Sequence, residues 1–335
     1  MNLIPETASE SAVKSAFNQA ALALNKLVLG QKHLTDRLLV ALLADGHLLV
    51  EGAPGLAKTR AVKSLASLID ADFHRIQFTP DLLPSDLTGT DIYQPQTSNF
   101  RFQKGPLFHN IVLADEINRA PAKVQSALLE AMAERQITVG KTTHHLPALF
   151  MVMATQNPIE QEGTYPLPEA QMDRFLLHVK VDYPAEDIEH QVLTLARHEA
   201  VADLKGESGS AVAETVLGES MVNAGRREVL ELFLSEPVEE YIVQLVMATR
   251  HPDRYDPKLA KWIDYGASPR GSISLERCAR AHAWLAGRDF VSPDDVQAVL
   301  HDALRHRLII SFSAEAEGVD ADSFIDAILD LVPVP

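Results

Sequence analysis

Short apolar runs alternate with segments of helical spacing along the first half of the chain. Segments with apolar residues three and four positions apart, such as AKVQSALLEAMAER, separate these runs. Short apolar runs of this kind are typical of parallel strands that are buried on both faces. The pattern predicts an α/β fold in which helices cover both faces of a parallel sheet. The strand candidates are HLLVE (47–51), FHRIQFT (73–79), NIVLADE (110–116), ALFMVMATQN (148–157) and RFLLHVKV (174–181).

Helices are predicted on either side of this α/β pattern. Apolar positions recur at helical spacing in residues 10–28 and 32–45, before the first strand. From Pro184 onward the same spacing continues without a convincing strand. The segment 203–222 is rich in small residues and is predicted to be a long connection inside this helical half.

The composition is that of a soluble globular protein, with 335 residues of which 46% are hydrophobic and 23% charged. A formal net charge of −16 repels a phosphate backbone or an anionic membrane surface, so nucleic acid is not the expected partner. We find no signal peptide and no apolar run of the roughly 18 residues that a membrane span needs. The single cysteine, Cys278, has no internal partner, which agrees with a reducing compartment. We therefore expect a cytoplasmic protein.

A candidate phosphate-binding loop, GAPGLAKT, lies directly between the first strand and a helical segment. It departs from the pattern G-x-x-x-x-G-K-[ST] only at Ala57, and we expect a negative, helical φ there because the loop becomes helix at this position. Lys58 is predicted to reach the β- and γ-phosphates, and the Thr59 hydroxyl to ligate Mg²⁺. On this motif alone, a plain strand-turn-helix corner remains the alternative. The predicted phosphate-binding residues are Gly52, Ala53, Pro54, Gly55, Leu56, Ala57, Lys58 and Thr59.

Polar side chains at two other strand ends complete the candidate site. Asp115 and Glu116 close the apolar run IVLADE, at the edge of the sheet where parallel strands bind ligands. Asp115 is predicted to hold Mg²⁺, and Glu116 to orient and deprotonate the attacking water. Asn157 follows another strand, where its amide can position that water. Arg270, in GASPRGS at a predicted helix start, is expected to reach the γ-phosphate when the helical half closes.

These motifs together resemble those of the MoxR family of AAA+ ATPases, and the likeness extends over nearly the whole chain. It rests on GAPGLAKT, on IVLADEINRAP, on the stretch from ATQNP to MDRF, and on GASPR. The resemblance implies a P-loop NTPase αβα sandwich in residues 1–183, with a five-stranded parallel sheet of order 5-1-4-3-2. An all-α lid domain is expected in residues 184–335. Hairpin insertions are expected near 84–108 and 134–146.

The resemblance also assigns roles to single residues. Asn157 and Arg270 would be the two sensors, and Arg174 would be the arginine finger that reaches a neighbour's ATP. Gly30 and Gln31, in the stretch VLGQ, would lie near adenine. A finger supplied in trans builds each site at a head-to-tail interface, so a ring is expected, with a hexamer as the family expectation. Arg119 is a second candidate for a contact between subunits.

The function that the resemblance implies is Mg²⁺-dependent hydrolysis of ATP to ADP, coupled to chaperone-like remodelling or maturation of a client protein. In this family a von Willebrand factor A domain protein is often a partner. The alternatives are a magnesium-chelatase-like ATPase subunit, a nucleotide-gated protein-binding switch, a nucleic-acid motor and a metabolic kinase. The net charge disfavours the motor. Glu116 and Arg174 serve hydrolysis more than binding, which disfavours the switch, and a kinase has no use for MDRF and GASPR.

Overall fold

A five-stranded parallel sheet lies at the centre of the first half of the molecule. The computed structural model describes residues 12–96, 98–158, 163–204 and 216–335. Strands β2, β5, β8, β1 and β9 lie side by side in that order. Counted along the chain, these five strands have the order 5-1-4-3-2, which confirms the predicted α/β fold. The strands are β1 (Leu48–Gly52), β2 (Phe73–Gln77), β3 (Gly89–Gln94), β4 (Asn99–Lys104), β5 (Ile111–Asp115), β6 (Gln136–Val139), β7 (Thr142–His145), β8 (Met151–Gln156), β9 (Leu177–Val181), β10 (Ile263–Tyr265) and β11 (Ile309–Ile310).

Helices pack on both faces of this sheet and continue into the second half of the chain. Among the described helices, none combines the length and the apolar character that crossing a bilayer requires. The helices are α1 (Ala12–Leu27), α2 (Lys32–Leu43), α3 (Lys58–Ile69), α4 (Pro84–Thr88), α5 (Ala122–Glu134), α6 (Glu169–Met172), α7 (Glu186–Leu204), α8 (Glu219–Glu231), α9 (Glu236–Arg250), α10 (Pro269–Leu285), α11 (Pro293–Leu304), α12 (Phe312–Ala316) and α13 (Ala321–Leu331).

The first strand shows why the sheet strands read as continuous apolar runs. Leu48 and Val50 of β1 point into the core that they share with α1, α2 and α3. Leu49, between them, points into a second core with α5 on the opposite face. Because successive side chains of a strand alternate between faces, a strand covered on both sides has no solvent-facing positions. This burial fixes the strand ends, and with them the site, at one edge of the sheet.

Strand β2 lies at one edge of the sheet and is less buried than the other four strands. Ile76 is its buried residue, whereas Arg75 and Gln77 are exposed. Residue Gln77 lies opposite Asp115 of the neighbouring β5. The polar residues Arg75 and Gln77 of β2 therefore lie next to Asp115, the predicted metal ligand.

The second half is a helical lid, as predicted, with one addition. Its helices α8 to α11 and α13 pack into the same core as α1 and α2. Strand β10 pairs with β11 in a two-stranded antiparallel ribbon, which the sequence pattern missed because runs of two or three residues show no periodicity. Most of the predicted connection, residues 205–215, lies outside the described residues, as do 159–162 after the ATQNP motif. The domain boundary at 183/184 stays a prediction.

Two antiparallel hairpins lie in the ranges where insertions were predicted. Strand β3 pairs with β4 from Gly89↔Lys104 to Gln94↔Asn99. Strand β6 pairs with β7 around a turn at Gly140, whose φ of 60° suits glycine. The rings of Phe102 in the first hairpin and His144 in the second stack with their centroids 4.0 Å apart. The two hairpins therefore contact each other.

Candidate nucleotide site

The phosphate loop joins the end of β1 to the start of α3 at Lys58. The Nζ atom of Lys58 donates a hydrogen bond to the Gly52 carbonyl oxygen at 2.6 Å, so the side chain folds back along the loop. Burial lowers the pKa of Lys58, and the nearby carboxylates, those of Asp115 and Glu116 foremost, oppose that shift. The ammonium group is thus held at the helix N-terminus, where backbone N–H groups also favour an anion.

Ala57 does not have the conformation that we expected. Its φ is +56° and its ψ 15°, so it lies in the left-handed region, and the expectation of a negative φ is wrong. The loop residue Gly55 also has a positive φ, of 86°. Left-handed residues within such a loop turn N–H groups towards a common point and form an anion-binding concavity. Position 57 belongs to this concavity and precedes the first helical turn, which explains the positive φ.

Five of the predicted functional side chains meet in one cavity of about 370 Å³. The loop supplies Lys58 and Thr59, the end of β5 supplies Asp115 and Glu116, and the end of β8 supplies Asn157. These elements are adjacent in the sheet, so their carboxyl ends bring the side chains together. The cavity combines N–H and ammonium donors on one side with carboxylates on the other.

Each of the two carboxylates is held by neighbours. Thr155 donates through Oγ1 to Oδ1 of Asp115 at 2.6 Å, and Arg75 donates to Oδ2. Gln77 donates through Nε2 to Oε2 of Glu116 at 2.7 Å. Arg119, which we considered for a contact between subunits, forms an ion pair with the same Glu116 oxygen in its own chain at 3.0 Å. The orientation of both acids is therefore defined before any ligand binds.

Sequence reasoning missed Arg75, Gln77 and Thr155. All three lie on strands next to β5, and the alternation of Arg75 and Gln77 in FHRIQ was the available signal. It was not used because polar residues on an exposed edge strand are also what a solvated surface requires.

The donor atoms in this cavity fit Mg²⁺. Magnesium prefers oxygen ligands and commonly takes one or two from protein, with the rest from water and phosphate. The Thr59 hydroxyl and the Asp115 carboxylate line the same cavity and supply that kind of oxygen.

Gly30 and Gln31 lie apart from the phosphate cavity, at the start of α2. Gln31 is buried, and its Nε2 donates to the carbonyl oxygen of Asp182 at 3.1 Å. Gly30 has a φ of 75°, and a Cβ there would approach Ile188 Cγ2 to 2.5 Å. The stretch is thus fixed against the segment that follows β9. Its predicted place beside adenine remains a prediction.

Arg174 and Arg270 do not line the phosphate cavity. They line a second cavity, of about 470 Å³, between the end of α5, the segment before β9 and α10. The Nη1 atom of Arg174 donates to the Leu129 carbonyl oxygen at 2.6 Å. Arg270 shares this cavity with Arg174, and its predicted reach to the γ-phosphate on closure stays a prediction. The arginines that line this cavity are Arg135, Arg174, Arg270, Arg277 and Arg307.

Asp173 joins the chain segments that carry Arg174 and Arg270, a connection that no sequence motif indicated. Its Oδ1 pairs with Nε of the buried Arg307 at 2.9 Å. Its Oδ2 accepts a hydrogen bond from Oγ of Ser268 at 2.9 Å. Asp173 precedes Arg174, and Ser268 lies two residues before Arg270, so one carboxylate fixes both segments.

Two known protein families match parts of this chain. Residues 47–177 match the ATPase family associated with various cellular activities (AAA), and residues 260–328 match the AAA lid domain.

Relatives are similar over nearly the full chain. Chaperone MoxR1 of Mycobacterium tuberculosis is 42% identical over 95% of this chain and 82% of its own length. Protein MoxR of Paracoccus denitrificans is 33% identical over 95% of this chain and 96% of its own. The crystal structure of a candidate ATPase from Cytophaga hutchinsonii superimposes with a TM-score of 0.86, at 45% identity and 96% coverage of both chains.

Proposed function

This chain belongs to the MoxR family of AAA+ ATPases, and on that premise we propose that it binds ATP with Mg²⁺ at the phosphate loop and hydrolyses it. The observation that carries the proposal is the single cavity shared by Lys58, Thr59, Asp115, Glu116 and Asn157. Separate strand ends supply a phosphate-binding lysine, metal-binding oxygens, a general base and an amide. Hydrolysis of a phosphoanhydride needs these four kinds of group.

Each side chain has a distinct part in the reaction. Lys58 moves from the Gly52 carbonyl to the β- and γ-phosphates, where its charge offsets theirs. Thr59 and Asp115 would hold Mg²⁺, which when bound neutralises charge on the phosphate oxygens. Glu116 accepts a proton from the water whose oxygen forms the new bond to the γ-phosphorus, while the bond from that phosphorus to the β–γ bridging oxygen breaks. Asn157 orients this water.

Arg174 and Arg270 act on the ATP of a neighbouring subunit. Their shared cavity is separate from the phosphate cavity of the same chain, which favours supply in trans for both arginines rather than for Arg174 alone. A head-to-tail interface that repeats in this way closes into a ring when the rotation permits, and a hexamer is the family expectation.

The proposed use of hydrolysis is chaperone-like maturation of a client protein in the cytoplasm. This part is supported by the similarity to the relative named Chaperone MoxR1. A von Willebrand factor A domain protein is the proposed partner.

A mixing experiment tests the ATPase and its assembly together. We expect Arg174→Ala and Glu116→Gln each to abolish turnover, because one lacks the finger and the other the base. In an equimolar mixture, about a quarter of random interfaces combine an intact Glu116 with a neighbour's intact Arg174, so up to about a quarter of wild-type activity returns. Steady-state ATPase rates, measured against protein concentration with light scattering, give the answer. Arg254→Ala, an exposed position outside both cavities, is the control.

Two outcomes would contradict this function. A mixture that stays inactive, with a rate per protomer independent of concentration, means that each chain works alone. Retained ATP turnover in Glu116→Gln means that Glu116 is not the general base. Lost turnover with retained ATP binding in that variant excludes a simple nucleotide-gated switch.

A further inference from the structure

Arg75 occupies the carboxylate that the proposed function gives to Mg²⁺. Its Nε and Nη2 atoms both donate to Oδ2 of Asp115, at 3.0 and 2.6 Å. Thr155 already donates to the other oxygen, Oδ1. Both oxygens of this carboxylate therefore have donors on them in the structure.

A guanidinium and a divalent cation compete for such a carboxylate. Arginine stays protonated at every pH that proteins meet, so the charge of Arg75 cannot be removed by losing a proton. Like charges at one carboxylate repel, and the two N–H groups of Arg75 occupy both lone pairs of Oδ2. Metal binding at Asp115 is therefore stronger when Arg75 has moved away.

A bound nucleotide offers Arg75 another anionic partner. The side chain is half exposed, whereas Asp115 is mostly buried, so the arginine is the partner that can move. It lines the same cavity as Lys58 and Thr59, in which the phosphates of the nucleotide would lie. Guanidinium groups bind phosphate oxygens as well as carboxylates.

We propose that Arg75 is a positioning residue that keeps Asp115 from cations until the phosphates of a nucleotide draw its guanidinium away, so that metal and nucleotide bind cooperatively. This inference rests on the proposed function of the same cavity. Its consequence is that the empty site has a low affinity for free Mg²⁺.

The coupling between metal and nucleotide is the quantity to measure. Dissociation constants of the fluorescent analogue N-methylanthraniloyl-ADP are determined in EDTA and in excess Mg²⁺. The constant in EDTA divided by the constant in Mg²⁺ equals the factor by which the nucleotide tightens metal binding, because linkage is reciprocal. In Arg75→Met we expect this ratio to fall by about fivefold, the size expected for loss of one partly exposed ion pair.

A second measurement follows metal binding in the absence of nucleotide. Binding of Mn²⁺ alone, titrated by electron paramagnetic resonance, should be about fivefold tighter in Arg75→Met than in the wild-type protein. Arg75→Lys keeps the positive charge and should change the Mn²⁺ affinity less. Arg101→Met, at an exposed arginine of β4 outside the cavity, is the matched control and should leave both quantities unchanged.

Different outcomes would overturn the role of Arg75 and the proposed function. An unchanged ratio and unchanged Mn²⁺ affinity in a folded Arg75→Met protein would overturn the role of Arg75. If the wild-type protein binds no nucleotide analogue in excess Mg²⁺, the proposed function fails instead. Urea unfolding of each variant shows whether the fold is intact.

Discussion

At the scale of single residues, the phosphate loop holds Ala57 in a backbone conformation that suits glycine. A left-handed φ costs a residue with a Cβ about 1–2 kcal/mol, and part of this is offset because alanine loses less backbone entropy on folding than glycine does. We expect Ala57→Gly to raise the free energy of unfolding by roughly 0.5–1 kcal/mol, measured by urea titration. The loop geometry is kept, so nucleotide binding should be retained.

The matched control for this prediction is the same substitution at a helical position. Ala298 is an exposed residue inside α11. There Ala298→Gly should lower the free energy of unfolding by about 0.5–1 kcal/mol, because glycine is unfavourable in a helix interior. A loss of stability in both variants would show that the left-handed geometry at position 57 carries no strain.

The candidate site could be predicted as a set of residue types, but not as a set of conformations. Lys58, Asp115 and Glu116 follow from motifs at strand ends, since parallel strands bring those ends together. A motif fixes which residue occurs and leaves its φ open, which is why the conformation of Ala57 was predicted wrongly. The contact between Arg75 and Asp115 joins two strands whose adjacency the sequence pattern alone does not give.

At the scale of elements, His47 connects the start of β1 to three other segments. Its Nδ1 accepts a hydrogen bond from the Val152 N–H of β8 at 3.0 Å. Its Nε2 lies 3.3 Å from the Met132 carbonyl oxygen of α5, which can only accept. Its own carbonyl oxygen accepts from the Leu176 N–H at 2.8 Å. These partners require the neutral imidazole with the proton on Nε2.

Acid should therefore destabilise the sheet through His47. Burial lowers the pKa of this group from 6.5 to about 4. The folded pKa lies below the unfolded one, so this stabilisation is fully present above pH 6.5 and is lost as the pH falls from 6.5 to about 4. The loss is on the order of 3 kcal/mol at about 1.4 kcal/mol per pH unit. In His47→Gln, urea unfolding between pH 7 and 5 should show a correspondingly shallower pH dependence.

A control without a titratable group separates packing from protonation. Phe150 is buried, and the centroid of its ring lies 5.6 Å from that of His47. Phe150→Leu should lower stability by the same amount at each pH, because it removes only packing. If His47→Gln behaves in that way too, His47 is not the group that takes up the proton.

Elements were predictable where a long periodic pattern specifies them. The sheet strands show as short continuous apolar runs and the lid helices as a period of 3.6, and the structure has both. The ribbon of β10 and β11 pairs Ile263 with Ile310 across nearly fifty intervening positions. Such pairing depends on tertiary contacts that no local pattern contains.

At the scale of the whole molecule, Asp173 links the lid to the sheet domain beside the two arginines assigned to a neighbour's site. It pairs with Arg307 and accepts from Ser268, both in the lid. Arg307 also donates to the Phe175 carbonyl oxygen at 2.7 Å. The sequence separations are above ninety residues, so only the fold reveals this connection. The relative position of Arg174 and Arg270 depends on it.

Loss of the Asp173 charge should therefore impair catalysis more than binding. Asp173→Asn keeps the shape but weakens the pair with Arg307, which allows both arginine segments to shift. We expect kcat of the assembled protein to fall by roughly tenfold, as positional errors in catalytic groups do, with the nucleotide affinity of the phosphate loop unchanged. Asp326→Asn, at a largely exposed lid carboxylate, is the control and should keep the wild-type rate.

Mixing experiments then assign the defect to one face of the subunit. In Asp173→Asn the phosphate cavity is intact and the arginine face is impaired, so an equimolar mixture with Glu116→Gln should recover activity. A mixture with Arg174→Ala should recover none, because no subunit in it then has an intact arginine face. ATPase rates of both mixtures show whether the arginine face or the phosphate cavity is impaired in Asp173→Asn. Recovery with Arg174→Ala, or a nucleotide affinity lowered in Asp173→Asn itself, would instead place Asp173 in the phosphate-binding half of the interface.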